Sequence, residues 1–381
     1  TEIAWVIALA AIIGTAMMES GAAQKIVNWL IRSLGEKQAS LALMISGFIL
    51  SIPVFFDTVF FLLIPLAIAL ALKTKKNYML YVMAIGGGAA ITHSLVPPTP
   101  GPLIMAETLN LDLGLTILAG LSSGILPAIA VLFASKRINA KFDIPVRVAF
   151  DVSSNDSQQP SLLASILPVA APIILISLAS VTQVVLGETP SWLAFWGNKN
   201  IAMGVGTAIA LWLWVNQKKL QGAVLWKEIS KPLEIAGIII LITSAGGAFG
   251  AMIKHSGIGM SIETVTQNFH ISLIILAWLI AAVMKTAQGS STVSMITSAS
   301  IMLAIMGTGV ELPYHPMYIL LSIGFGALFI SWMNDSGFWV VAKMSGFTEK
   351  EALNSWTVLL AIISLVGLAQ VIVMSWIFPF V

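Results

Sequence analysis

Residues 51–70 read SIPVFFDTVFFLLIPLAIAL. Pro53 and Asp57 stand at the head of a run that is otherwise apolar. Apolar residues make up 58% of the 381-residue chain and charged residues only 9%, whereas an ordinary soluble domain carries about 25% charged residues. That composition identifies a polytopic membrane protein. Long runs rich in Ala, Leu, Ile and Gly exclude the short alternating strands of a membrane barrel, so the expected class is all-α. Asp57 therefore lies at membrane depth, where a carboxylate is expensive and needs a reason.

The sequence contains no cysteine and four histidines, His93, His255, His270 and His315, without ligand spacing. No metal site, disulfide or cofactor is expected. A net charge of +2 with no basic, aromatic-interleaved patch points away from nucleic acid. The opening TEIAWVIALA lacks a preceding basic segment, which argues against a signal peptide.

Spans are expected near 3–18, 78–108, 112–135, 161–187, 201–215, 233–253, 317–345 and 353–378. Two further apolar stretches, 38–72 and 271–308, carry polar or proline residues at their middle. The chain also repeats itself. GTAMMESG (14–21) aligns with GAMIKHSG (250–257), DTVFFLLIP (57–65) with STVSMITSA (291–299), and IGGGAA (85–90) with IGFGAL (323–328), in order and at nearly constant spacing. A duplication follows, with a first repeat over 1–135, a cytoplasmic linker over 136–160 and a second repeat over 161–381. Two spans precede the second copy of residue 14 and none the first. A longer form with two more N-terminal helices, on the order of 60–75 residues, is therefore expected.

Charge selects the topology. If 38–72 and 271–308 each enter and leave on one side, every Lys and Arg except Lys199, Lys254 and Lys285 falls on the cytoplasmic face. The two re-entrant hairpins then enter from opposite sides, which makes the second repeat an inverted copy of the first, as in secondary transporters.

Four polar breaks follow, two per repeat. The hairpin tips are SIPVFFDT (51–58) and KTAQGSST (285–292), where Pro53 and Gly289 interrupt a helix. Asp57/Thr58 or Ser290/Ser291/Thr292 are placed to cap the next one. Such N-termini suit a bound anion, although capping alone also accounts for these residues. HSLVPPTPGP (93–102) and SWMNDSGFW (331–339) break the helices 78–108 and 317–345. Their carbonyls and side-chain oxygens could hold a cation or a substrate hydroxyl, or simply form a kink. His93 could shuttle protons or bond a carbonyl. Lys285 could attract an anion or extend to the interface. Glu19 and Glu107 read as interfacial, and His255, His270 and His315 as solvated outer-loop residues.

At VPPTPGP (96–102), FFDTVFF (55–61), AQGSSTV (287–293) and NDSGFW (334–339) the chain resembles the gluconate permease family of the ion-transporter superfamily. The resemblance implies a bacterial inner-membrane symporter, driven by protons, for gluconate or a similar hydroxylated or amino monocarboxylate. It also implies a homodimer with an elevator-type transport domain. Thr99 stands where many members carry His, and Lys285 where they carry Arg. The expected binding set is Thr58, Thr99, Gly101, Gln288, Gly289, Ser290, Ser291, Thr292, Asn334, Ser336 and Gly337. Asp57, Asp335 and His93 are the proton-coupling candidates, since a water-poor site favours a neutral carboxyl group. Sodium coupling is the alternative, and a channel ranks behind both. An intramembrane hydrolase lacks its motifs, as no HExxH or GxSxG occurs.

Overall fold

The computed structural model describes residues 4–142, 144–147, 159–255, 272–307 and 312–380. Residues 143 and 148–158 of the 136–160 linker, His270, the end of the second GTAMMESG copy and the side chain of His255 lie outside the described residues. Among the described residues there is no strand. The helices are α1 (Ala4–Glu19), α2 (Ala22–Leu34), α3 (Ala39–Leu50), α4 (Phe56–Thr74), α5 (Tyr78–Leu95) and α6 (Pro100–Thr108). They continue with α7 (Leu113–Ser123), α8 (Ile125–Lys141), α9 (Leu162–Leu186), α10 (Ser191–Trp196), α11 (Lys199–Lys218) and α12 (Gly222–His255). The last five are α13 (Leu273–Gln288), α14 (Ser291–Met306), α15 (Met317–Gly326), α16 (Ser336–Ser345) and α17 (Glu349–Ile377).

Each sequence break is a real interruption of helix. The chain turns between α3 and α4 at 51–55 and between α13 and α14 at Gly289 and Ser290. The stretches 78–108 and 317–345 are each two half-helices, α5/α6 and α15/α16. The prolines at 97, 98 and 100 cause the first of these breaks, because they lack amide protons and push the preceding residue out of the helical region. The second break begins and ends four residues earlier than the 331–339 of the sequence reading, running from Ala327 to Asp335. It holds Ile330 at φ 46, a conformation that a β-branched residue avoids unless its surroundings impose it.

The expected span 112–135 is present as α7 and α8, which meet at Gly124 and together are long and apolar enough for one crossing. One element lies outside the expected spans. Residues 22–34, between the expected span 3–18 and the hairpin at 38–72, form the amphipathic α2, bent 63° from α1. Gly21 makes this turn with φ 77. By length and composition five segments among the described residues suit a membrane crossing, or six if the bent α1–α2 pair counts as one. α4 is among the five, whereas its hairpin partner α3 and both arms of the second hairpin are shorter than a full span.

Without a hydrophobic drive between helices in lipid, close packing needs small residues. α3 packs along α5 in this way: a methyl group on Gly88 would sit 2.2 Å from the Met44 carbonyl, and one on Gly47 2.6 Å from that of Ile85. The Thr92 hydroxyl donates to the Phe48 carbonyl across the same contact at 2.8 Å. α13 packs along α15 as well. Helices of the two hairpins also pack on the broken helices far from them in the chain. α4 packs on α16, and α14 packs on α6. α5, the centre of this assembly, is almost wholly buried.

Candidate functional site

The packing of α4 on α16 and of α14 on α6 brings four helix N-termini to one place. A cavity of about 380 Å³ is lined by the first residues of α4 (Phe56, Asp57, Thr58), of α14 (Ser291, Thr292, Val293) and of α16 (Ser336, Gly337), and by Pro100 at the start of α6. That volume is ordinary for a small-molecule site. The inner wall is α5, through Ala90, His93 and Ser94. Trp356 and Leu360 of α17 close another side.

Of the expected site residues, the fold gathers Asp57, Thr58, His93, Ser290, Ser291, Thr292, Asp335, Ser336 and Gly337 on this cavity. Five others lie off its wall. The Thr99 hydroxyl donates back to the Val96 carbonyl at 2.6 Å and lines a separate, much smaller cavity beside α1. Gly101 packs under Met295, close enough that an added methyl would meet its side chain at 2.2 Å. Gln288 is exposed and turned towards Met284. Gly289, at φ 83, lies against the Asn334 carbonyl. The Asn334 amide donates to the Thr286 and Ala287 carbonyls and so ties the second break to the tip of the second hairpin.

The caps also differ from expectation. The N-cap of α4 is Phe55, which has no side-chain bond to give, so Asp57 stands inside the first turn and caps nothing. Ser290 does cap α14, its Oγ accepting from the Val293 amide at 3.3 Å. Asp335 caps α16, its Oδ1 accepting from the Gly337 amide at 3.0 Å.

The residue that sequence reasoning misplaced most is Lys285. It is 1% exposed, neither at the interface nor on the cavity wall. Its Nζ donates to Asp335 Oδ2 at 2.6 Å and to the Gly289 carbonyl at 2.7 Å. Ser331 donates to the same Asp335 oxygen, and its own Oγ accepts from Trp356 Nε1 at 3.0 Å. Thr357 donates to the Ser331 carbonyl from a π-helical turn, Leu353–Thr357, within α17. Such turns occur often at functional sites. Trp356 also packs on Phe56, with ring centroids 5.5 Å apart. The only sequence signal for this arm of the site is a polar cluster, Asn354, Ser355 and Thr357, in an otherwise apolar span. Glu107 pairs with Lys199 at 2.8 Å, and Glu19 with Lys218 at 3.4 Å.

Four converging N-termini present positive dipole ends and amide protons that lack helical partners. They are not equivalent. α4 already carries Asp57 in its first turn and α16 is capped by Asp335, while α6 opens with Pro100 and Pro102, which have no amide proton to offer. The α14 terminus, capped only by the neutral Ser290 hydroxyl and followed by Ser291 and Thr292, is the one of the four with neither a carboxylate nor prolines in its first turn, which suits an anion. His93 Nδ1 and Ser94 Oγ are buried at this cavity without a hydrogen-bond partner, which adds polar atoms suited to substrate hydroxyls. Among the described residues no metal-ligand cluster is present.

Comparison with known proteins gives a consistent match. The family described as GntP family permease matches residues 1–377. A permease of Haemophilus influenzae is 32% identical, covering 98% of this chain and 80% of its own length. The gluconate permease of Pseudomonas aeruginosa is 31% identical, covering 97% of this chain and 84% of its own. Among solved structures, the YdaH transporter of Alcanivorax borkumensis superposes with a TM-score of 0.71 at 14% identity, covering 98% of this chain and 85% of that one. At that identity the likeness is one of fold.

Proposed function

This chain belongs to the GntP family of permeases, and from that premise we propose that it is a proton-coupled symporter for gluconate or a related small hydroxylated or amino monocarboxylate. Its relatives are permeases, so it is a multi-pass transport protein of the bacterial inner membrane and not an enzyme. The observation that carries the substrate reading is the single cavity at which two hairpins and two broken helices aim their N-termini. The substrate carboxylate sits at the α14 terminus, on Ser290, Ser291 and Thr292, and its hydroxyls face Thr58, His93, Ser94 and Ser336. The carboxylates on the same wall, Asp57 and Asp335, supply the site for the coupled proton.

The reciprocal packing of α4 on α16 and of α14 on α6 supports an inverted repeat. So do the matching contacts of α3 with α5 and α13 with α15. In this reading the hairpins are re-entrant, and they move with the broken helices as an elevator-type transport domain. α1, α9, α11 and α12 belong to the scaffold of a homodimer. The test is uptake of labelled gluconate into proteoliposomes. An inward proton gradient is expected to drive saturable accumulation above the equilibrium level. Accumulation that follows a sodium gradient instead would refute proton coupling, and uptake that never runs uphill would refute symport.

A further inference from the structure

We infer that the two cavity carboxylates have separate roles, Asp57 carrying the coupled proton while Asp335 remains ionised as the partner of Lys285, which acts as a positioning residue. The inference rests on the proton-symport reading above.

Asp335 is surrounded by groups that complement a negative charge. Its Oδ2 accepts from Lys285 and Ser331, and its Oδ1 from the Gly337 amide. Lys285, in turn, has one anion to pair with, since its other contact is the neutral Gly289 carbonyl. Taking the charge off Asp335 would leave a buried ammonium facing a neutral acid, and stranding one member of a buried pair is strongly unfavourable. The pair also bridges the C-terminal end of α13 and the N-cap of α16, so its charge state and the geometry of both breaks go together. A proton that came and went at Asp335 in every cycle would disturb that bridge each time.

Asp57 is built differently. It is half-buried on the cavity wall, caps no helix, and has neither a cation nor a hydrogen-bond donor on its carboxylate among the described residues. The titratable and charged groups facing it are His93 from α5 and Asp335 from the start of α16, with Lys285 behind Asp335 and already engaged. Counting charges, Lys285 and Asp335 cancel, so the cavity is left with the charge of Asp57. An anionic substrate arriving at Ser290–Thr292 meets that charge in a site of low dielectric, where repulsion is strong. Once Asp57 takes a proton the cavity is neutral, and the α14 dipole and amides act on the substrate unopposed. Proton and anion therefore favour each other's binding reciprocally, which is the requirement for symport through one site.

The experiment compares two modes of transport in proteoliposomes, with gluconate as the probe. The first is accumulation driven by a proton gradient, where one proton per anion gives about tenfold accumulation per pH unit. The second is exchange of labelled for unlabelled gluconate at equal pH. Asp57→Asn is expected to keep exchange, to lose the pH dependence of that exchange, and to accumulate no more than onefold. Asp57→Glu, which restores a carboxyl, is expected to accumulate again. Asp335→Asn is expected to lose both modes, because Lys285 is left unpaired at the site. Uphill accumulation by Asp57→Asn, or loss of exchange in that variant, overturns the assignment of Asp57. Retained exchange with lost accumulation in Asp335→Asn shows the roles to be reversed. Wild-type protein that fails to accumulate gluconate under a proton gradient overturns the symport reading itself, and the assignment with it.

Discussion

Replacing Lys285 by Met keeps most of the side chain's volume and removes its charge. The lysine is 1% exposed, and its Nζ makes two hydrogen bonds, to Asp335 at 2.6 Å and to the Gly289 carbonyl at 2.7 Å. In the variant Asp335 retains Ser331 and the Gly337 amide as donors but has no countercharge. Removing one partner of a buried ion pair costs about 3–5 kcal/mol, most of it the desolvation of the charge left behind. At roughly 2 °C per kcal/mol, Lys285→Met should lower the unfolding midpoint by about 6–10 °C. Asp335→Asn should do about the same, since the ammonium then has only a carbonyl. The double variant removes both charges, so its loss should be smaller than the sum of the two by about 1–3 kcal/mol. Thermal unfolding in detergent, followed by the loss of the monodisperse size-exclusion peak, measures all three. Single variants within about 1 °C of wild type, or a strictly additive double variant, would refute the claim that this pair is buried and mutually dependent.

Ser290→Ala removes the α14 cap that accepts from Val293. It is expected to cost about 1 kcal/mol in stability and to raise the KM for gluconate uptake more than it lowers the maximal rate. Gly289→Ala forces a side chain onto φ 83 and puts a methyl 2.1 Å from the Asn334 carbonyl. A loss of about 1–3 kcal/mol, seen as a lower unfolding midpoint and reduced uptake, is expected. On the cytoplasmic side of the proposed topology, Arg147 holds Glu351 through two bonds of 2.7 and 2.8 Å, which keeps the Glu351 carboxyl down to about 2. This is below the unfolded value of about 4.3, so the stabilisation is complete above that pH and is lost as pH falls through about 2. In Glu351→Gln that part of the pH dependence of the midpoint should flatten, with the midpoint below that of wild type at pH 7, where the ion pair is intact, and the difference closing as pH falls towards about 2.

Much of the architecture is legible locally. A proline without an amide proton, a run of apolar residues near the length of a span, and an Asn-Asp-Ser-Gly cluster each act over a few neighbours. The breaks at 51–55, 96–99 and 289–290 therefore lie where the residues put them, while the fourth, at 327–335, opens ahead of its polar cluster. The duplicated order of motifs carried the further expectation of two matched halves, and GntP family membership agrees with the resemblance carried by VPPTPGP and NDSGFW. The amphipathic α2 was missed because its helix follows a charged, amphipathic pattern in a stretch scanned for long apolar runs.

The direction in which each break faces was not local. Thr99 and Ser290 both stand at the N-cap of a helix, yet one hydroxyl turns back to Val96 while the other caps its helix on the cavity wall. Lys285 looked like a residue near water because it stands beside a polar tip. Its partner, Asp335, is fifty residues away in the chain and is delivered by the packing of α13 on α15. Trp356 arrives from the last helix by a contact that no spacing encodes. Sequence determined where the helices stop, because stopping is a property of the backbone at that residue. Tertiary structure decided which stops share a cavity and which charges cancel, because both depend on distances between segments far apart in the chain that meet only when the helices pack.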